Sequence, residues 1–75
     1  AVSFPVTQLT ALHSAVRLRV LRHAYFELGG EELSFERSQA IDSLLLRRSG
    51  GKIIQLPQGI NVVYKNKQLI FVKII

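Results

Sequence analysis

The sequence predicts an α+β domain in which two helices pack on a small three-stranded antiparallel β-meander. Apolar residues recur at helical spacing from Leu9 to Leu28 and again at Ile41, Leu44 and Leu45. The glycine pairs Gly29-Gly30 and Gly50-Gly51 close those two runs. Three short apolar runs follow, separated by the turn-forming groups Pro57-Gln58-Gly59 and Asn66-Lys67.

Ala1–Val6 reads as an extended lead-in, because Pro5 disfavours helix at Phe4. Thr7 or Thr10 is the expected cap of the first helix. That helix carries Leu9, Leu12, Val16 and Val20 along one side and Leu18, Leu21, Tyr25 and Leu28 along another. Two apolar stripes call for a central helix with more than one neighbour. His23 falls in its last turns, where a cation is favoured.

The second helix starts after Leu33, with Ser34 as N-cap and Glu36 in the first turn. Ile41, Leu44 and Leu45 form its buried stripe, with Phe35 a candidate addition. Arg47 and Arg48 in the last turn complement the helix dipole. The strands expected next are Lys52–Leu56, Ile60–Lys65 and Gln68–Ile74. Pro57 sets φ for the first turn and Gly59 accepts positive φ, while Asn66-Lys67 suits a two-residue hairpin loop.

Seventy-five residues make a single domain, 1–75, with 48% apolar residues, enough for a small core. No cysteine is present, so neither a disulfide nor a thiolate metal site can staple the fold. No apolar run reaches the roughly 18 residues that span a bilayer, and no membrane partner is expected. The chain contains no Met, and the expectation is an excised domain of a longer, cytoplasmic protein.

Ten Lys and Arg against five Asp and Glu give a net charge of +5. Their order says more than their sum. Residues 1–26 hold three Arg and no acid, and residues 43–75 hold six bases and no acid. All five acids (Glu27, Glu31, Glu32, Glu36 and Asp42) fall between, with Arg37 as the one base among them. Such segregation suits a surface that meets a polyanion; an ordinary basic surface is the plainer alternative.

Arg19 and Arg22 share a helix face with Ala15 and Phe26. They form either a small platform, two guanidiniums for phosphates with one ring beside them, or a solvated stripe with Phe26 tucked under a loop. Arg17 points elsewhere, with the Glu27 side or other acidic groups as candidate partners, and has no assigned role. Arg47, Arg48 and Lys52 bracket a glycine pair that can approach phosphate closely, although helix capping explains the same residues. Lys65 and Lys67 add charge at the hairpin.

Ser49-Gly50-Gly51-Lys52 is not a Walker loop: it follows a helix, precedes a strand, and lacks Ser or Thr after Lys52. His13 and His23 lie too far apart on a helix to share a metal, and no catalytic arrangement of Ser, His and Asp is evident. Neither a catalytic residue nor a metal site is assigned, and this domain is not expected to be catalytic by itself.

Taken together, the residues resemble a known family. Ala15-Val-Arg-Leu-Arg-Val-Leu-Arg-His-Ala24 with its Gly-Gly exit resembles the helix that follows the catalytic domain in bacterial tRNA(Ile)-lysidine synthetases. Ser34-Phe35-Glu36 with Ile41–Leu46 is similar to their next helix. Ser49–Val62 resembles their glycine- and proline-marked strand segment, and Leu69-Ile70-Phe71 the strand that ends it.

The resemblance implies a parent ligase whose catalytic domain uses ATP and Mg to activate C34 of an isoleucine tRNA, which lysine then attacks. The S-G-G-x-D-S loop of that catalytic domain is absent here, so no cofactor is expected in this domain. Its implied partners are the tRNA and the catalytic domain of the same chain. Arg19 and Arg22 match the family's basic helix positions, and Pro57 and Gly59 its turn. The expected tRNA-binding set is Arg19, Arg22, Arg47, Arg48, Lys52, Lys65 and Lys67. The alternative reading is an interaction or homodimerisation module docking through the apolar strand Leu69–Ile75, taken as a sheet edge. A DNA-binding helical module fits less well, because the first helix is apolar on too many sides to lie in a groove.

Overall fold

A computed structural model describes residues 1–47 and 51–74. Three helices cover one face of a four-stranded antiparallel sheet. In chain order the elements are β1 (Val2–Pro5), α1 (Val6–Thr10), α2 (Ser14–Glu27), α3 (Phe35–Arg47), β2 (Ile53–Leu56), β3 (Ile60–Lys65) and β4 (Gln68–Lys73). The α+β class is as the sequence predicts. The counts differ, with three helices for two and four strands for three.

The extra strand is the lead-in. Its residues pair antiparallel with β4, Val2 opposite Phe71 and Phe4 opposite Leu69. The sheet order is therefore β1-β4-β3-β2, and β4 is an interior strand. This corrects the edge-strand reading of Leu69–Ile75: from Gln68 to Phe71 β4 is paired on both sides, so Leu69–Phe71 offer no free edge to a partner.

The extra helix comes from a break in the run from Leu9 to Leu28. α1 stops at Thr10, and α2 restarts at Ser14. The cap of α2 is neither Thr7 nor Thr10 but His13, whose Nδ1 accepts the Ala15 N–H at 3.2 Å. Thr10 instead donates its hydroxyl back to the Val6 carbonyl at 3.1 Å. On the corner, the Leu12 carbonyl accepts from Arg17 Nη1 at 3.0 Å.

α2 ends as expected. Gly29 takes φ 93°, and the N–H groups of Gly29 and Gly30 return to the Phe26 and Tyr25 carbonyls at 2.9 and 3.0 Å. α3 is capped by Ser34, whose Oγ accepts the Arg37 N–H at 3.2 Å, with Glu36 in the first turn and Arg47 in the last. The proposed helix-closing Gly50 and the adjoining Arg48 lie outside the described residues. Gly51 takes φ 84° and donates its N–H to the Tyr64 carbonyl at 3.1 Å, where the chain enters the sheet.

Alternation on the strands sets the core. Ile60, Val62 and Tyr64 of β3 and Leu69 and Phe71 of β4 point under the helices. They meet Leu21, Ala24 and Tyr25 of α2, Ile41, Leu44 and Leu45 of α3, and Val6 and Leu9 of α1. Phe4 stands edge-on to Phe71, ring centroids 6.3 Å apart. Two expected core residues lie outside it: Val16 and Phe35 are both exposed.

The β3–β4 loop puts Asn66 at φ 53° and Lys67 at φ 60°, both in the left-handed region of a primed turn. Asn tolerates this; Lys does so at a cost. Lys67→Gly is expected to raise stability by roughly 0.5–1 kcal/mol, read as a higher urea midpoint with unchanged m-value.

Candidate nucleic-acid interface

The exposed side of α2 and the loop that leads into α3 form a groove of about 530 Å³. Arg19, Arg22 and His23 line one wall, from successive turns of α2. Phe26 and Phe35 both border it, and they are 65% and 58% exposed. Glu31 and Glu32 complete the rim over buried Leu33. Of the two readings of the Arg19, Arg22 and Phe26 face, the ring is not tucked under a loop: it stands free beside the guanidiniums.

Helix geometry explains the first four positions. Arg19, Arg22, His23 and Phe26 fall at successive spacings of three, one and three residues, which share one stripe of α2. Phe35 reaches the same groove because Ser34 starts α3 just there. His23 Nε2 lies 3.3 Å from Glu27 Oε1, one turn on along the exposed face.

Away from the groove, α2 and α3 are joined by a buried ion pair. Arg17 Nε donates to Asp42 Oδ1 at 2.5 Å and Nη2 to Oδ2 at 3.1 Å, a two-pronged bridge from α2 to α3. The side chains are only 8% and 17% exposed. Hydrogen bonding to Asp42 raises the Arg17 pKa above its ordinary value; burial opposes that shift and the charge of Asp42 adds to it. Arg17, to which the sequence assigns no role, here ties the helices together.

A second basic group gathers at the other edge of the layer. Arg47 and Lys52 line a shallow groove of about 290 Å³ between α3 and β2, with Ile53 and Ile54. The register puts Ile53 opposite Val63, so Lys52 reaches the same end of the sheet as Lys65 and the Asn66-Lys67 tip. Lys52, Lys65 and Lys67 are exposed, as is Arg47. The structure therefore brings Arg19 and Arg22 together, and Arg47, Lys52, Lys65 and Lys67 toward one end. It does not join the two groups into one patch. Arg48 lies outside the described residues.

Glu31 and Glu32 sit at the opposite end, which they share with Lys73, the partner of Ile60 in the β3–β4 register. Gln58, at φ 65°, turns its amide oxygen to the Glu31 N–H at 3.0 Å and to the Tyr25 hydroxyl at 2.8 Å. This pins the Glu31–Glu32 loop against the β2–β3 turn, far along the strands from Lys65 and Lys67. The turn is visible in the sequence but the role of Gln58 is not, because its partners lie in another element. Among the described residues, no three His, Asp or Glu side chains converge as metal ligands, and no helix is long and apolar enough to cross a membrane.

Residues 4–69 match the family model described as the TilS substrate binding domain. The chain belongs to that family. The resemblance read from the helix, turn and strand residues is thereby borne out, and TilS is the tRNA(Ile)-lysidine synthetase to which it pointed. No curated protein and no solved structure matches the chain. The match spans nearly every element of this TilS domain, from Phe4 in β1 to Leu69 in β4, and includes Arg19, Arg22, Arg47, Lys52, Lys65 and Lys67.

Proposed function

We propose that this domain engages the isoleucine tRNA on behalf of a tRNA(Ile)-lysidine synthetase whose ATP-dependent chemistry resides in a separate catalytic domain. The observation that carries this reading is the separation of charge within a substrate-binding domain. Arg47, Lys52, Lys65 and Lys67 project at one end of the sheet, and the Glu31–Glu32 loop is held at the other, with Lys73 beside it. Four exposed cations clear of carboxylates suit the phosphates of an RNA backbone, which are contacted one by one and without regard to sequence.

On this reading the domain grips and orients. The activation of C34 by ATP and the attack of lysine occur on the catalytic domain, in the cytoplasm, while this domain holds the rest of the tRNA. Lys67 supports the assignment in a second way. A lysine at a left-handed turn position costs stability that glycine would not, which is understandable if its ammonium is needed at the tip.

Filter binding of tRNA to the full-length synthetase tests this. Lys65→Glu with Lys67→Glu is expected to weaken tRNA affinity about tenfold at low salt, and to flatten the salt slope by about 0.7–0.9 for each phosphate no longer neutralised. Arg19→Glu with Arg22→Glu is expected to weaken affinity as well, with ATP consumption chemistry unchanged. Unchanged affinity in both double variants would remove the domain from tRNA binding.

A further inference from the structure

We propose that the groove between α2 and the start of α3 holds one unpaired nucleotide of the bound RNA. The base lies on Phe26 and Phe35, its phosphate meets Arg19 and Arg22, and its amino edge donates to Glu31 or Glu32. The inference rests on the RNA-engaging reading and names what this particular groove takes.

Its lining is mixed in a way that a backbone-binding patch does not require. Carboxylates repel phosphate, so Glu31 and Glu32 are out of place in a surface that only follows an RNA backbone. A protein-docking face also carries aromatic and Arg side chains within a polar rim, so the test below includes association with the catalytic domain. A nucleotide uses all three kinds of group. Its phosphate is anionic, its ring presents a flat π face, and cytosine, adenine and guanine carry an exocyclic amine that donates to a carboxylate.

Phe26 and Phe35 are the two most exposed aromatic side chains of the domain, and both border the one groove. Each is set on a helix: Phe26 in the last turn of α2, Phe35 at the first residue of α3. The loop between the two helices is pinned by Gln58 through the Tyr25 hydroxyl and the Glu31 N–H, which sets the two helix ends that carry the rings. Neither Glu31 nor Glu32 takes part in a salt bridge among the described residues, so both carboxylates are free to accept. The volume of about 530 Å³ falls within the roughly 300–1,000 Å³ typical of small-ligand sites. Paired bases in an RNA helix hide their faces in the stack; only an unpaired one offers a face to these rings.

The test uses fluorescence anisotropy of this chain with labelled seven-nucleotide RNA single strands (all-C, all-A and all-U) and with a fully paired RNA duplex. The expected result is tighter binding of the C and A strands than of U. Phe26→Leu with Phe35→Leu should weaken the C and A strands about tenfold and leave the duplex unchanged. Both positions are exposed, so the variant should fold; circular dichroism checks this. Phe26→Trp should retain affinity and show indole fluorescence quenched by the bound base.

Single-strand affinity unchanged in the double-leucine variant, or an indole emission of Phe26→Trp indifferent to RNA, overturns the groove assignment while leaving the duplex and tRNA result intact. Loss of association with the catalytic domain but not with RNA in the double-leucine variant overturns it too, and makes the groove a domain contact. Failure of the unaltered chain to bind duplex, single strands or tRNA at low salt removes the RNA reading itself.

Discussion

Asp42→Ala is expected to cost this domain about 3 kcal/mol, a large share of the stability of so small a fold. The Arg17 guanidinium is buried between α2 and α3, and Asp42 neutralises it through two hydrogen bonds. Removing the carboxylate leaves a desolvated cation with the Leu12 carbonyl as its remaining partner. The double variant Arg17→Met with Asp42→Leu should recover most of the loss, because an apolar pair of similar volume avoids the desolvation of both charges. Urea midpoints of the three variants, converted with a common m-value, decide it. A loss below about 1 kcal/mol for Asp42→Ala would mean that water reaches Arg17 and that the bridge is not what joins the helices.

The pH dependence of this bridge follows from the raised Arg17 pKa. A cation whose pKa is higher folded than unfolded contributes its full stabilisation below the unfolded value. It loses that stabilisation only as pH rises through the folded one. The guanidinium contribution is therefore constant across the whole ordinary pH range.

Gly30→Ala is expected to be about as damaging, also about 3 kcal/mol, for a steric reason. A Cβ at Gly30 would sit 2.3 Å from Cε2 of Tyr25 and 2.5 Å from Cδ2 and Cζ. Ordinary carbon contacts are about 3.5–4.0 Å. The ring cannot slide aside. Tyr25 is 1% exposed, and its hydroxyl is fixed between the Pro57 carbonyl at 3.1 Å and Gln58 Oε1 at 2.8 Å. Gly29→Ala is the internal control. It incurs the left-handed penalty at φ 93°, but the nearest atom is the movable end of Lys73. A cost of about 1 kcal/mol is expected there. Equal thermal shifts for the two variants would show that backbone conformation, not ring contact, governs this corner.

Local chemistry was the legible part of this chain. Ser34, Glu36, Arg47, the Gly29-Gly30 exit, the Pro57–Gly59 turn and the Asn66-Lys67 hairpin all act within a few residues of themselves, and each was found where the residue types put it. What escaped was decided at a distance. Val2–Pro5 is a strand only because β4 pairs with it, and a four-residue segment containing Pro5 has no internal signal strong enough to say so. Ala11-Leu12-His13 contains no helix breaker, so the corner there became visible only with the Arg17 bond to Leu12 and the bridge to Asp42. Gln58 accepts a positive φ that its type disfavours, with Tyr25 and Glu31 as partners from another layer.

The candidate site divides the same way. The Arg19, Arg22 and Phe26 stripe was readable from helical spacing alone. Phe35, Glu31 and Glu32 were not, because the loop that folds them against α2 is pinned by Gln58. Nor could spacing tell that Lys52 joins the hairpin lysines Lys65 and Lys67 at one end of the sheet, which is a matter of register.

The pinning of Glu31 by Gln58 has a consequence for encounter. With Glu31 and Glu32 anchored at one pole and Lys52, Lys65 and Lys67 at the other, the domain carries a moment that a distant polyanion can twist before any atom touches. It should therefore arrive lysine pole first more often than chance allows, and this bias in arrival should fade as added salt shortens the reach of the field.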